Sequence, residues 1–176
     1  NNTAIGHNAL TDLTSGADNT AVGVSALDNV TSGTFNVGLG VRALVNHTTG
    51  SQNTALGYAS LEQQTTASLY VAVGFAALRN INGGSQATHG NNSAFGRDSM
   101  RQITTGLNNA AFGNGSLQNV GGGQANAAFG YESLKDCTGI YNTGVGRYAG
   151  KGLSTGQKNT ILGAWFTGTQ LTTGTN

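Results

Sequence analysis

About every seventeen residues the same order of small, apolar and polar positions returns along the chain. The clearest copy is Asn19-Thr20-Ala21-Val22-Gly23-Val24-Ser25-Ala26-Leu27-Asp28-Asn29-Val30-Thr31-Ser32-Gly33. Numbered from its first glycine as position 0, a large apolar residue stands at −1, a small one at −2 and Asn at −4. Ala-Leu follows at +3 and +4, another apolar residue at +7, and a second glycine closes the unit. The position-0 glycine recurs as Gly6, Gly23, Gly40, Gly57, Gly74, Gly96, Gly113, Gly130, Gly146 and Gly163, at spacings of 17, 17, 17, 17, 22, 17, 17, 16 and 17 residues. A fixed period of this kind decides the architecture before any local preference does.

Thr-Ala-Val-Gly is too short for a helix and ends on a residue that tolerates positive φ, so it reads as a short strand and a corner. Ala26, Leu27 and Val30 have a spacing that fits one helical turn or a second, kinked strand. Thr-Ser-Gly is a turn, after which the chain begins again one level on. Stacked levels place Asn2, Asn19, Asn36, Asn53, Asn92, Asn109, Asn126, Asn142 and Asn159 in one column, interrupted by Tyr70. At the strand spacing of roughly 4.8 Å their amides can bond up and down the stack. The expected fold is an all-β parallel solenoid of about ten turns, one domain over 1–176, with short helical turns as an option. Proline, which would remove a ladder donor at every level, is absent. Residues 82–91 hold the five extra residues behind the 22-residue spacing and read as a surface loop insertion. The chain begins in register and Asn176 falls 17 residues after Asn159, so a longer array is expected.

Composition narrows the class. Glycine is 29 of 176 residues and only 9% of residues are charged, against roughly 25% in ordinary globular domains. A net charge of +1 points to neither nucleic acid nor membrane attraction, and no apolar run approaches the ~18 residues of a membrane span. Gly38-Leu39-Gly40-Val41-Arg42-Ala43 and Gly144-Val145-Gly146-Arg147-Tyr148-Ala149 match a dinucleotide pattern but are ordinary repeats without a βαβ setting. His7, His47 and His89 lie in different repeats, so no metal site is expected. Cys137 falls in the +7 apolar column and reads as a buried side chain. Glu62 and Glu132 stand several turns apart, so no acid–base pair is expected. No cofactor and no enzymatic activity are expected.

About three large apolar side chains per turn are few for ordering seventeen residues, so neighbouring chains are expected to share apolar surface. Phe95, Phe112 and Phe129 at −1 read as core plugs. Tyr58, Phe75 and Tyr131, just after the corner glycine, are expected to project outward, as are Phe35, Tyr141 and Tyr148. At +5 the column turns from Asp28, Val45 and Glu62 to Arg79, Arg101, Gln118, Lys135 and Lys151. With Arg97 and Arg147 it suggests a basic stripe. Candidate contacts to a glycan are Tyr58, Phe75, His89, Arg97, Arg101 and Tyr131. Trp165 and Phe166 are expected to cap or widen the last turn.

Asn2-Thr3-Ala4-Ile5-Gly6-His7-Asn8-Ala9-Leu10 and its copies resemble the NTAIG…AL repeats of phage tail-fibre proteins, and the shorter repeats in the heads of trimeric autotransporter adhesins. That resemblance covers the whole chain. It implies a homotrimeric parallel β-roll, extracellular, on a virion or a cell surface, whose partners are its own copies and a receptor such as cell-surface polysaccharide. The function it implies is structural and adhesive. An ice-binding solenoid is the alternative, resting on the Thr column Thr14, Thr31, Thr48, Thr65, Thr104 and Thr138. A polysaccharide-degrading β-helix has less support, for want of a clustered acid–base site.

Overall fold

The computed structural model describes residues 1–81 and 90–164. The protein is a parallel β-solenoid of about nine turns with a spacing near 17 residues. In chain order the strands are β1 (Thr3–Ile5), β2 (Thr20–Val22), β3 (Val37–Leu39), β4 (Thr54–Leu56), β5 (Val71–Val73) and β6 (Asn80–Ile81). They continue with β7 (Ser93–Phe95), β8 (Gln102–Ile103), β9 (Ala110–Phe112), β10 (Ala127–Phe129), β11 (Thr143–Val145) and β12 (Thr160–Leu162). All but β6 and β8 form one ten-stranded sheet in sequence order, and β6 pairs with β8 beside it. Register follows the repeat: Ala21 faces Gly38, and Gly38 faces Ala55. It survives the 22-residue spacing, where Ala72 still faces Ala94. The insertion itself and Trp165 and Phe166 lie outside the described residues.

The Ala-Leu segments are not helical, and the described residues contain no helix. Positions +2 and +4 have left-handed φ in turn after turn: Ser25 at 53° and Leu27 at 53°, Ala59 at 53° and Leu61 at 52°. Position −5 does too, as in Phe35 at 57° and Gln52 at 61°. Left-handed backbone at non-glycine residues costs roughly 1–2 kcal/mol each, and here the neighbouring levels offset it. Ser25 N–H donates back to His7 O, Leu27 N–H forward to Ala43 O, and Phe35 N–H back to Ala17 O. The corner glycines combine two demands. Gly23 and Gly40 have φ of 135°, and a Cβ on Gly23 would lie 2.7 Å from the Gly40 carbonyl.

The Asn column is a continuous ladder on either side of Tyr70. Asn19 Oδ1 accepts from both the backbone N–H and the Nδ2 of Asn36, at 3.0 and 3.1 Å. Asn36 Oδ1 accepts the same pair from Asn53, and Asn36 Nδ2 also donates to Gly50 O. Each side chain therefore satisfies groups on two levels, in a site closed to water. At the break, Tyr70 N–H still donates to Asn53 Oδ1. Its buried ring hydrogen-bonds Asn92, with burial the larger influence and holding the phenol above its ordinary pKa.

The core is made by −2, +3, +4 and +7. Ala21, Ala26, Leu27 and Val30 are wholly buried, as are Leu44, Leu61, Leu78, Met100, Leu117 and Leu134. Cys137 is wholly buried at +7, and its thiol accepts from Asn142 Nδ2 at 3.4 Å. The −1 column corrects the sequence expectation. Alternation along a three-residue strand turns the small −2 residue inward, so the large −1 residue points out. Phe112 and Phe129 are therefore surface residues and not core plugs, with Phe95 only partly covered.

His47 takes the +7 position in the third turn and is wholly buried. Nε2 lies 2.8 Å from Gly50 O, and Nδ1 meets the side chain of Gln64 one turn on. Burial lowers its pKa, outweighing both hydrogen bonds. The folded state thus binds this proton less readily than the unfolded chain does. Its contribution is complete above about pH 6.5 and falls as the pH drops below that value. Denaturant titrations should show an acid-side loss of up to about 1.4 kcal/mol per pH unit from this residue, absent in His47→Leu. Asn36→Ala should cost at least about 2 kcal/mol in the same assay, because each orphaned buried group costs about 1–3 kcal/mol. Asn114→Ala, exposed and outside the ladder, should change little.

Candidate functional site

Two surfaces carry more chemistry than a solvated rod needs. The first is the outer face of the ten-stranded sheet, formed by the side chains at −3 and −1. Ile5, Leu39, Leu56, Phe112, Phe129, Val145 and Leu162 are exposed large apolar residues in a single line. Beyond the corner, Val24, Val41, Tyr58, Phe75 and Tyr131 extend the apolar surface at +1. The residues at −3 and −1 compensate in size. Where −1 is Ile, Val or Leu, −3 is Thr or Val; in the three turns where −1 becomes Phe, −3 shrinks to Ser93, Ala110 and Ala127. The three rings stack face to face, with centroids 4.7 and 5.0 Å apart and planes within 5°. Their faces cover one another and their edges form the outer surface.

The second surface is the adjoining edge, where positions +1, +2 and +5 of successive turns meet. Its charges form three triads, each a carboxylate between two cations. Glu62 lies between Arg42, at 2.6 Å, and Arg79. Asp98 lies between Arg97 at 3.2 Å and Arg101 at 3.5 Å. Glu132 lies between Lys135 at 3.1 Å and Lys151 at 2.5 Å. The carboxylates are sunk, with 0%, 12% and 15% of their side chains exposed, and the cations stand above them. Burial pushes the Glu132 carboxyl up, but Lys151 and Lys135 together outweigh it and hold the group below its ordinary pKa. The hydrogen bond to Glu132 in turn raises Lys151.

Of the glycan-contact candidates, Tyr58, Phe75, Arg97 and Arg101 come together. Tyr58 stacks on Phe75 at 5.1 Å, and the Arg97 guanidinium covers Phe75 at 5.6 Å. Sugar stacking on Phe75 is disfavoured, because Tyr58 and Arg97 take its faces. Tyr131 lies further along the same edge, with Arg147 at 5.8 Å and Tyr148 at 5.2 Å. His89 lies outside the described residues. The expected basic stripe is corrected to a row of triads: Arg79, Arg101, Lys135 and Lys151 are each paired with acid. Sequence reasoning weighed Glu62 and Glu132 only as an acid–base pair and did not set Arg42, Glu62, Asp98 or Glu132 against neighbouring charges. Their signal was the joint occupation of +2 and +5 by opposite charges, which touch only because the left-handed turn folds one position over the other. Among the described residues no three His, Cys, Asp or Glu side chains gather where they could hold a metal ion.

Fold and surfaces together define a class, the parallel β-solenoid repeat proteins. Comparison with protein-family models, curated proteins and solved structures returned no match.

Glu62 tests the triads. Its wholly buried carboxylate should make Arg42→Ala with Arg79→Ala cost about 3 kcal/mol, the penalty of an unpaired buried charge. Adding Glu62→Leu should restore most of it in thermal or denaturant melts.

Proposed function

We propose that the chain is a structural and adhesive segment of an extracellular fibre on a virion or cell surface. In this reading three copies stand side by side, parallel, with their outer sheet faces turned to a shared axis, and the rod holds or assists a receptor-binding surface. The observation that carries it is the size-compensated apolar face. A solvated face has no need for −3 to shrink wherever −1 grows, whereas a packed one does. A partner that matches every level must have the same axial period, and another copy of the chain has it by construction. The NTAIG…AL resemblance favours three copies. Because the Leu column is wholly buried within one chain, side-by-side association fits better than intertwined chains.

The ice-binding alternative has less support at its proposed surface. Thr14, Thr31 and Thr48 donate their hydroxyls to the carbonyls of Thr31, Thr48 and Thr65, so that column offers water acceptor lone pairs and methyl groups but no free donors there. A polysaccharide-degrading activity has no supporting constellation among the described residues, since Glu62, Asp98 and Glu132 each sit in a separate triad.

Sedimentation tests assembly. The chain is expected to run at three times its 17.8 kDa. Phe112→Asp with Phe129→Asp should release folded monomers with an unchanged circular dichroism spectrum. Leu44→Asp should unfold the chain, because a buried charge has no partner there. A wild-type chain that stays a folded monomer at micromolar concentration would overturn the assembly reading.

A further inference from the structure

We propose that the assembly closes rim to rim: the −5 column of one copy docks on the +1 column of the next, level with level, around the ring of three. The inference rests on the assembly reading and adds to it which residues meet and at what axial offset.

Alternation along each turn carries −5, −3, −1 and +1 to the outside and −4 and −2 to the inside. In the third turn Phe35, Leu39 and Val41 are 58%, 44% and 41% exposed, while Asn36 and Gly38 are buried. Among the described residues the exposed large apolar side chains stand at three positions only, −5, −1 and +1. At +6, by contrast, the first eight turns have only Asp, Asn or Gln. The rod therefore has one apolar side. Phe35, Leu69 and Tyr141 form one rim of it, and Val41, Phe75 and Tyr131 the other. A continuous exposed apolar face of this kind marks a docking surface.

Area shows why the rims are needed. Six residue steps of roughly 3.3 Å across ten levels of roughly 4.8 Å make a face of roughly 900 Å², and each partner of a stable complex buries about 800 Å². The −3 and −1 columns alone span about a third of that width.

Cyclic symmetry then fixes the pairing. Rotation about an axis parallel to the rods shifts no copy along it, and sets one rim of each copy against the opposite rim of its neighbour. Each −5 residue meets the +1 residue of the same turn in the next copy. Phe35 meets Val41 in the third turn, and Leu69 meets Phe75 in the fifth. In the eighth turn the bulky Tyr131 meets Ala125, and in the ninth Tyr141 offers its ring to the Arg147 guanidinium. Asp18, Lys158, Arg97 and Arg147 are the charged side chains of the two columns. They face Val24, Ala164, Asn91 and Tyr141, so no charge meets a like one. An antiparallel pair would instead set each rim against its own kind.

The test is disulfide trapping in the intact chain carrying Cys137→Val. That change removes the native thiol and keeps a side chain that the same column holds at Val30 and Val120. Phe35→Cys/Val41→Cys then places thiols on both rims of one level. Within one chain β3 runs between them, which holds them farther apart than the ~7 Å between Cα atoms that a disulfide spans. After air oxidation, a non-reducing denaturing gel is expected to show bands at two and three times the mass of one chain. Leu69→Cys/Phe75→Cys repeats the test at the fifth level, and circular dichroism shows which pair is folded. Phe35→Cys/Phe75→Cys, with thiols two levels apart, and Phe35→Cys alone are expected to run as single chains. Linking that stops at two chains, equal linking of the two-level pair, or dimers of Phe35→Cys alone would each overturn the proposal. Sedimentation of the unsubstituted chain separates the readings. A monomer overturns assembly and docking together, whereas a trimer whose folded same-level pairs stay unlinked overturns the docking alone.

Discussion

Hydrogen bonding between successive levels is the constraint from which the rest of this structure follows. A seventeen-residue turn wound this tightly pairs only a few backbone groups within itself, as Ala26 N–H does to Gly23 O and Val30 N–H to Leu27 O. Most of the others point along the rod, some back and some forward, as Ser25 does to His7 and Leu27 to Ala43. Aiming them so requires left-handed backbone at fixed positions, and the neighbouring level must be present to repay it. The Asn ladder serves the same end inside the rod, where Asn36 joins the levels of Asn19 and Asn53 and also takes up the Gly50 carbonyl. No single turn is stable by itself under these terms, so length and stability are linked as in other stacked repeats.

The narrow cross-section also decides which side chains are inside. Room exists for a small residue such as Ala, Gly or Ser at −2 and +3 in nearly every level, for Leu or Met at +4, and for one further side chain at +7, apolar in most turns but His47 and Gln64 in two. Larger groups at −1 are therefore displaced outward, where they would be an exposed apolar strip on a solitary rod. The matched shrinkage at Ser93, Ala110 and Ala127 beside Phe95, Phe112 and Phe129 limits the change in side-chain size along that face. A surface of this kind is suited to another repeat of the same pitch.

Charge is handled by the same periodicity. Isolated ions on so thin a rod would lie close to like charges one level away. Sinking one carboxylate between two cations offsets that repulsion. The apolar column at +7 admits polar groups where they pair across levels, as His47 and Gln64 do.

The period, the parallel stack, the Asn ladder and the burial of Cys137 were legible in the chain alone, because each repeats at an interval that only stacking can satisfy. The break at Tyr70 was visible as well, though not that its ring would reach Asn92. Sequence alone left open whether Ala-Leu was helical, since i, i+1 and i+4 spacing suits both a helix and a bend. Tertiary structure decided it through left-handed φ at Ser25 and Leu27, imposed by bonds to other levels. It likewise sent Phe112 and Phe129 outward, because in a strand of three residues the small neighbour and the large one cannot both face a core only one side chain deep. The Asp98 triad is local to one turn, whereas the Glu62 triad belongs to the tertiary structure. Arg42, Glu62 and Arg79 are seventeen or more residues apart in sequence, and only the winding of the turns sets them side by side.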